Sequence, residues 1–126
     1  MAKALIAVDL QNDFYEKGAL AVANASEINQ KVNQLLISEE YKVIIASQDW
    51  HPKTHLSFAS NHNQEAFTPY SDDQGLGPVL WPDHCVQQTE GADFNSEIKT
   101  ENFDYILRKG TEIEVDSYSA FQDNDG

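Results

Sequence analysis

The chain has 126 residues, 8 Lys+Arg against 21 Asp+Glu, and a formal charge of −13. That length suits one domain, and so acidic a surface repels phosphate backbones and anionic membranes, so neither nucleic acid nor membrane is an expected partner. No stretch supplies the roughly 20 apolar residues of a membrane helix, and the lone Cys85 excludes an internal disulfide framework and fits a reducing, cytoplasmic setting.

In chain order, the first element is the aliphatic run Ala4-Leu5-Ile6-Ala7-Val8, broken by Asp9. It is too short for the core of a secretory signal, and no small-residue cleavage site comes after it. Asn24-Ala25-Ser26-Glu27 has the spacing of a capping box with Asn24 as the cap. Beyond it Ile28, Val32, Leu35 and Leu36 form one apolar stripe, which predicts a helix facing a sheet. Val43 to Ala46 is a second aliphatic run, and Tyr105 to Leu107 is a third short run that reads as a buried strand. Runs apolar on both faces suit the interior of a parallel sheet covered by helices. Strand, helix and strand over about forty residues make a βαβ unit.

From Asp49 to about Asn102 the periodicity dissolves, and this stretch holds all four prolines and all four histidines. A connection that long inside a domain is usually functional or disordered, and its aromatics and histidines argue against disorder. No repeat, low-complexity tract or linker divides the chain, so a single domain over 1–126 is expected. Asp9 ends the first strand, Asp49-Trp50-His51 lies after the second, and Arg108-Lys109-Gly110 after the third. Ligands of open parallel sheets bind outside the carboxyl ends of the strands.

Three constellations stand out. In extended backbone Asp49 and His51 point the same way, so a carboxylate and an imidazole can converge on one ion, with His84 as third ligand. His55 stands as a fourth ligand or a group behind the first three. Such a set suits Zn²⁺ or Fe²⁺, and less readily Mn²⁺; the alternative is a strand-end turn with solvated histidines. Asp9 beside Lys109 would be held ionised and able to accept a proton, or each is simply a turn former and a solvated lysine. Cys85 reads better as a small buried residue than as a nucleophile, because neighbours in extended chain face opposite ways and His84 is poorly placed as its base. Phe14, Trp50, Trp81 and Tyr118 either wall a flat aromatic ligand or belong to the core.

Val8-Asp9-Leu10-Gln11-Asn12-Asp13-Phe14, Ser47-Gln48-Asp49-Trp50-His51-Pro52 and Trp81-Pro82-Asp83-His84-Cys85-Val86 resemble the nicotinamidases of the isochorismatase-like hydrolase superfamily. So do Lys109-Gly110 and Asp116-Ser117-Tyr118-Ser119-Ala120-Phe121, and the resemblance runs from residue 4 to residue 124 in family order. It implies a doubly wound, Rossmann-like α/β fold and deamidation of nicotinamide to nicotinate and ammonia in NAD salvage through an Asp–Lys–Cys triad. By motif match Asp9 would be the base and Lys109 its partner. Asp49, His51 and His84 would hold one divalent metal, and Phe14, Trp81 and Tyr118 would contact the substrate.

The family nucleophile sits far downstream, after a further αβ unit, and Cys85 does not match it. The chain is therefore expected to be the amino-terminal portion of such a domain, ended before the carboxyl-terminal αβ units and inactive alone. Uncovered sheet and helix faces then predict poor solitary stability, a homo-oligomer or a complementing carboxyl-terminal segment. The competing readings are an inactive metal- or pyridine-binding fragment, another small-amide hydrolase or isochorismatase of the superfamily, and a non-haem iron oxygenase. The last usually presents H-x-D/E, the reverse of Asp49-x-His51.

Overall fold

A computed structural model describes residues 1–126. The three aliphatic runs form strands β1 (Lys3–Val8), β2 (Tyr41–Asp49) and β3 (Tyr105–Lys109). They make one parallel sheet in the order β1-β2-β3, with Leu5 opposite Ile44, Ala7 opposite Ala46 and Lys109 opposite Asp49. This is the expected α/β arrangement of parallel strands, with a helical crossover between β1 and β2. No helix is long and apolar enough to cross a membrane.

β2 runs three residues further than its aliphatic stretch because its polar end is fully satisfied. The fully buried Gln11 amide accepts from the Asp49 N–H at 2.7 Å and donates to the Asp49 and Ala92 carbonyls at 2.7 and 2.9 Å. Those bonds remove the cost of burying peptide groups at a strand end.

The predicted helix appears as a 3₁₀ turn (Ala25–Ile28) leading into α1 (Asn29–Leu36). The capping box does not form. Asn24 is left-handed at φ 60° and makes no side-chain cap. Glu16 takes its place from ten residues upstream, its carboxylate accepting from the Ser26 N–H at 3.2 Å and the Ser26 hydroxyl at 2.9 Å. The apolar stripe divides: Leu36 is buried and Val32 packs on the core, whereas Ile28 is 48% exposed.

Alternation along the strands puts Leu5, Ala7, Ile44 and Ala46 on one face. There they pack with Leu10, Leu36 and Ile98 into the principal core. Although the apolar runs suit a sheet covered on both faces, only one face is covered here, in line with the uncovered faces expected above. Ile6, Val8, Tyr105 and Leu107 lie on the opposite face, and Val8 is 62% and Tyr105 66% exposed. Nothing among these residues packs across that face of the sheet.

The long connection is ordered without long elements. Short 3₁₀ turns (Ala59–His62, Glu90–Ala92, Thr100–Asn102) and isolated bridges such as His51 with Val86 and Phe58 with Trp81 tie it together. Fully buried Phe58, Leu80, His55 and Cys85 give it a small interior of its own beside the carboxyl ends of the strands.

Candidate active site

One cavity of about 220 Å³ opens at the carboxyl edge of the sheet, lined among others by Asp9, Asp49, His51, His84 and Lys109. β1 delivers Asp9, β2 delivers Asp49 and, two residues on, His51, and β3 delivers Lys109. The parallel register alone sets Lys109 opposite Asp49. Asp9 sits at φ 50°, a left-handed conformation with a steric cost that Asp tolerates better than most residues. Ser47 holds it there, donating its hydroxyl to the Asp9 carboxylate at 2.6 Å.

Lys109 is the hub of the charged group. Its buried ammonium contacts the Asp49 carboxylate, lies 3.1 Å from Asp9 Oδ2 and donates to the Ser117 carbonyl at 3.1 Å. Burial opposes its charge, but Asp49 and Asp9 outweigh that and raise its pKa above the ordinary lysine value. Burial likewise pushes the Asp49 carboxyl up, yet the neighbouring His51 and Lys109 prevail and bring it down to about 2. Both groups are therefore charged at neutral pH.

The second oxygen of Asp49 faces two imidazoles, 3.5 Å from His51 Nε2 and 3.8 Å from His84 Nε2. One ligand atom from each of the three residues lies within 4.8 Å of the others, and all three residues are buried. The far ring nitrogens fix the tautomers. His51 Nδ1–H donates to the Gly110 carbonyl and His84 Nδ1–H to the Pro82 carbonyl, each at 2.7 Å. A carbonyl can only accept, so Nδ1 carries a proton in each ring, and in the neutral form that would hold a metal each Nε2 turns its lone pair toward Asp49. Burial lowers the His84 pKa, which favours the neutral, ligating form. A borderline cation such as Zn²⁺ fits this donor set, with positions left open on the cavity side. Gly110 is needed for the fit: a Cβ there would drive into the His51 ring, and the residue is left-handed at φ 67°.

His55 is not brought into this group as a fourth ligand. It is fully buried, its Nε2–H donates to the Val115 carbonyl at 3.2 Å, and its Nδ1 accepts from the Ser57 N–H at 3.0 Å. Burial holds it neutral with a pKa of about 4. Its ring instead packs edge-on against His51, centroids 4.6 Å apart, and so supports that side chain from behind.

Phe14, Trp81 and Tyr118 line the cavity, but Trp50 does not; its ring lies under the Arg108 guanidinium, 3.9 Å from it. Tyr118 positions Trp81, its hydroxyl accepting from the indole N–H at 3.2 Å and lying 2.6 Å from the Gly77 carbonyl. Cys85 is fully buried, stands outside the cavity lining, and burial pushes its thiol pKa far up. Leu20, Asp116 and Ser117 also line the cavity; the last two belong to a motif that carried the resemblance, though no site role was expected of them. Asp116 and Ser117 lie in the segment that returns past Lys109, where a polar pair next to Tyr118 was the available signal. Leu20 carried none, since bonds within its own loop, among them its N–H to the Asp13 carbonyl, bring it to the site.

No protein-family model matches the chain. Nicotinamidase from Escherichia coli (strain K12) is 46% identical over 124 residues, an alignment covering 97% of this chain and 58% of that protein. This chain is homologous to the nicotinamidases. A solved structure of a nicotinamidase/pyrazinamidase from Acinetobacter baumanii superposes with a TM-score of 0.89 at 42% identity, covering 97% of this chain and 58% of that one. A pyrazinamidase from Pyrococcus horikoshii, solved in complex with zinc, gives 0.73 at 36% identity, covering 94% and 57%. The chain thus spans somewhat under three fifths of the length of these relatives.

Proposed function

We propose that this chain carries the metal-binding and charge-pair portion of a site that converts nicotinamide and water to nicotinate and ammonia. The observation that carries the reading is the convergence, in one cavity, of the Asp49–His51–His84 group and the Asp9–Lys109 pair between aromatic side chains suited to a flat ring. The relatives' names support the same reading, and the zinc of the Pyrococcus horikoshii protein supports a divalent metal, Zn²⁺ before Fe²⁺ or Mn²⁺.

When bound, the metal would supply a Lewis acid that anchors the pyridine nitrogen of the substrate. Phe14 and Trp81 would flank the ring, with Tyr118 bracing Trp81. Asp9, held beside Lys109, would accept the proton of a nucleophilic thiol. The thiolate would attack the amide carbon, and as the C–N bond breaks the departing nitrogen would take that proton from Asp9 and leave as ammonia. The resulting thioester would be hydrolysed as Asp9 takes a proton from water, whose oxygen joins the acyl carbon. Nicotinate leaves and the thiol is restored. Lys109 would hold Asp9 in place and offset its negative charge between the proton transfers.

Cys85 is no candidate for that thiol, being sealed from the cavity and held in its protonated form. The nucleophile is therefore assigned to a cysteine outside these 126 residues, and the complete reaction to the longer domain, acting in cytoplasmic NAD salvage. A second reading, a non-catalytic metal- and pyridine-binding unit that works with a complementing segment, is favoured by the open apolar face of the sheet.

The test is ammonia release from nicotinamide by the Zn²⁺-loaded chain, together with nicotinate binding followed through Trp81 fluorescence. Metal-dependent binding without turnover is expected. Turnover abolished by Cys85→Ala would overturn the assignment of the nucleophile. Nicotinate binding that is indifferent to metal and to Asp49→Ala would overturn the site.

A further inference from the structure

Asp13 lies outside the cavity lining and outside the metal-ligand group, yet it joins three segments that build the site. Its Oδ2 accepts from the Cys85 N–H at 2.7 Å, its Oδ1 from the Ala19 N–H at 3.2 Å, and its own carbonyl from the Leu20 N–H at 2.9 Å. The first bond reaches the turn bearing His84, and the other two close the loop bearing the cavity residues Phe14 and Leu20. The third segment is the Glu90–Ala92 turn, where Gly91 presses so closely on Asp13 that a Cβ would drive into its carboxylate.

The bond to Cys85 matters because of where that amide sits. Cys85 is left-handed at φ 47°, a conformation with a steric cost for a residue bearing a Cβ. Its N–H belongs to the rigid peptide plane that includes the His84 Cα. Holding that N–H therefore fixes one end of His84, while the Nδ1–H bond to the Pro82 carbonyl fixes the other. Both Asp13 oxygens accept, so an amide in its place could satisfy only one of the two donors and would turn its own NH₂ toward the other.

We propose that Asp13 is a positioning residue whose carboxylate locks the His84 turn and thereby sets the metal affinity of the Asp49–His51–His84 group. The proposal rests on the reading of those three residues as ligands. Partners that orient a ligand typically govern metal affinity by about 10–100-fold when removed.

The test compares the unmodified chain with Asp13→Ala and Asp13→Asn in two measurements: Zn²⁺ affinity by competition with a chromophoric chelator, and hydrogen exchange of the Cys85 amide in the metal-free chain. For Asp13→Ala, Zn²⁺ binding is expected to weaken by about 10-fold or more while the Cys85 amide exchanges faster. Asp13→Asn should move both in the same direction by less, and it carries the test if the alanine variant does not fold. Gly91→Ala, which crowds the carboxylate and leaves it chemically intact, should shift both measurements as well. Zn²⁺ affinity in either Asp13 variant within twofold of the unmodified chain overturns the proposal alone. An unmodified chain that binds no Zn²⁺ overturns the ligand reading and the proposal with it.

Discussion

Lys109→Met removes the one cation between two carboxylates. The Asp9–Lys109 pair, at 3.1 Å, has a gross Coulomb attraction of about 5 kcal/mol at an effective dielectric constant of about 20. Desolvation of the buried lysine cancels part of it, and methionine recovers some packing of the aliphatic stem. The remainder is the cost of leaving Asp9 and Asp49 facing each other unpaired, together with the Ser117 carbonyl that loses its donor. Removing one partner of a buried pair typically costs about 3–5 kcal/mol, and that is the loss expected in guanidinium unfolding of the metal-free chain. Adding Asp9→Asn should restore part of it, since one of the two uncompensated charges is then gone. A loss below about 1 kcal/mol, or strict additivity of the two substitutions, would refute the assignment of Lys109 as the hub of the charged group.

The same geometry predicts three further outcomes. Cys85, buried and with its thiol pKa raised, should react with iodoacetamide far more slowly in the native chain than in denaturant; equal rates would mean an open thiol. Phe58 is fully buried against the rings of His51, His55 and His84, at centroid distances of 5.4, 5.7 and 5.5 Å. Phe58→Ala should therefore cost about 3–5 kcal/mol in chemical unfolding, and a loss under about 1 kcal/mol would show that the small interior does not support the site. Asp49 has a folded pKa of about 2, below its ordinary 3.8, so its contribution is complete above pH 3.8 and disappears as pH falls toward 2. This is worth about 2 kcal/mol in the metal-free chain, and Asp49→Asn should flatten the unfolding profile across that window; an unchanged profile would contradict the pairing.

The sheet was legible because aliphatic runs with β-branched residues have few other uses in a short chain, and all three strands formed where those runs stand. The residues at the strand ends were equally legible, since parallel strands deliver their carboxyl ends to one edge. Asp9, Asp49 and Lys109 meet there as expected. The features hidden from the sequence depend on contacts distant in the chain. The cap of the helical segment comes from Glu16 rather than from Asn24. Gln11 extends β2 by satisfying its polar end. His55 looked like a ligand by spacing, yet both of its ring nitrogens are taken by backbone groups. Trp50, placed between Asp49 and His51, turns away to Arg108 because adjacent residues in extended chain face opposite ways. Apolar strands on both faces predict a sheet covered on both sides. Here only one side is covered, and these residues supply nothing for the other.

The central claim is that Asp49, His51 and His84 form a single metal centre beside the Asp9–Lys109 pair. Calorimetric titration of Zn²⁺ into the metal-free chain tests it most directly. One ion per chain is predicted, with binding lost in His84→Ala and Asp49→Ala and kept in His55→Gln. No binding, or binding unaffected by His84→Ala and Asp49→Ala, would contradict it.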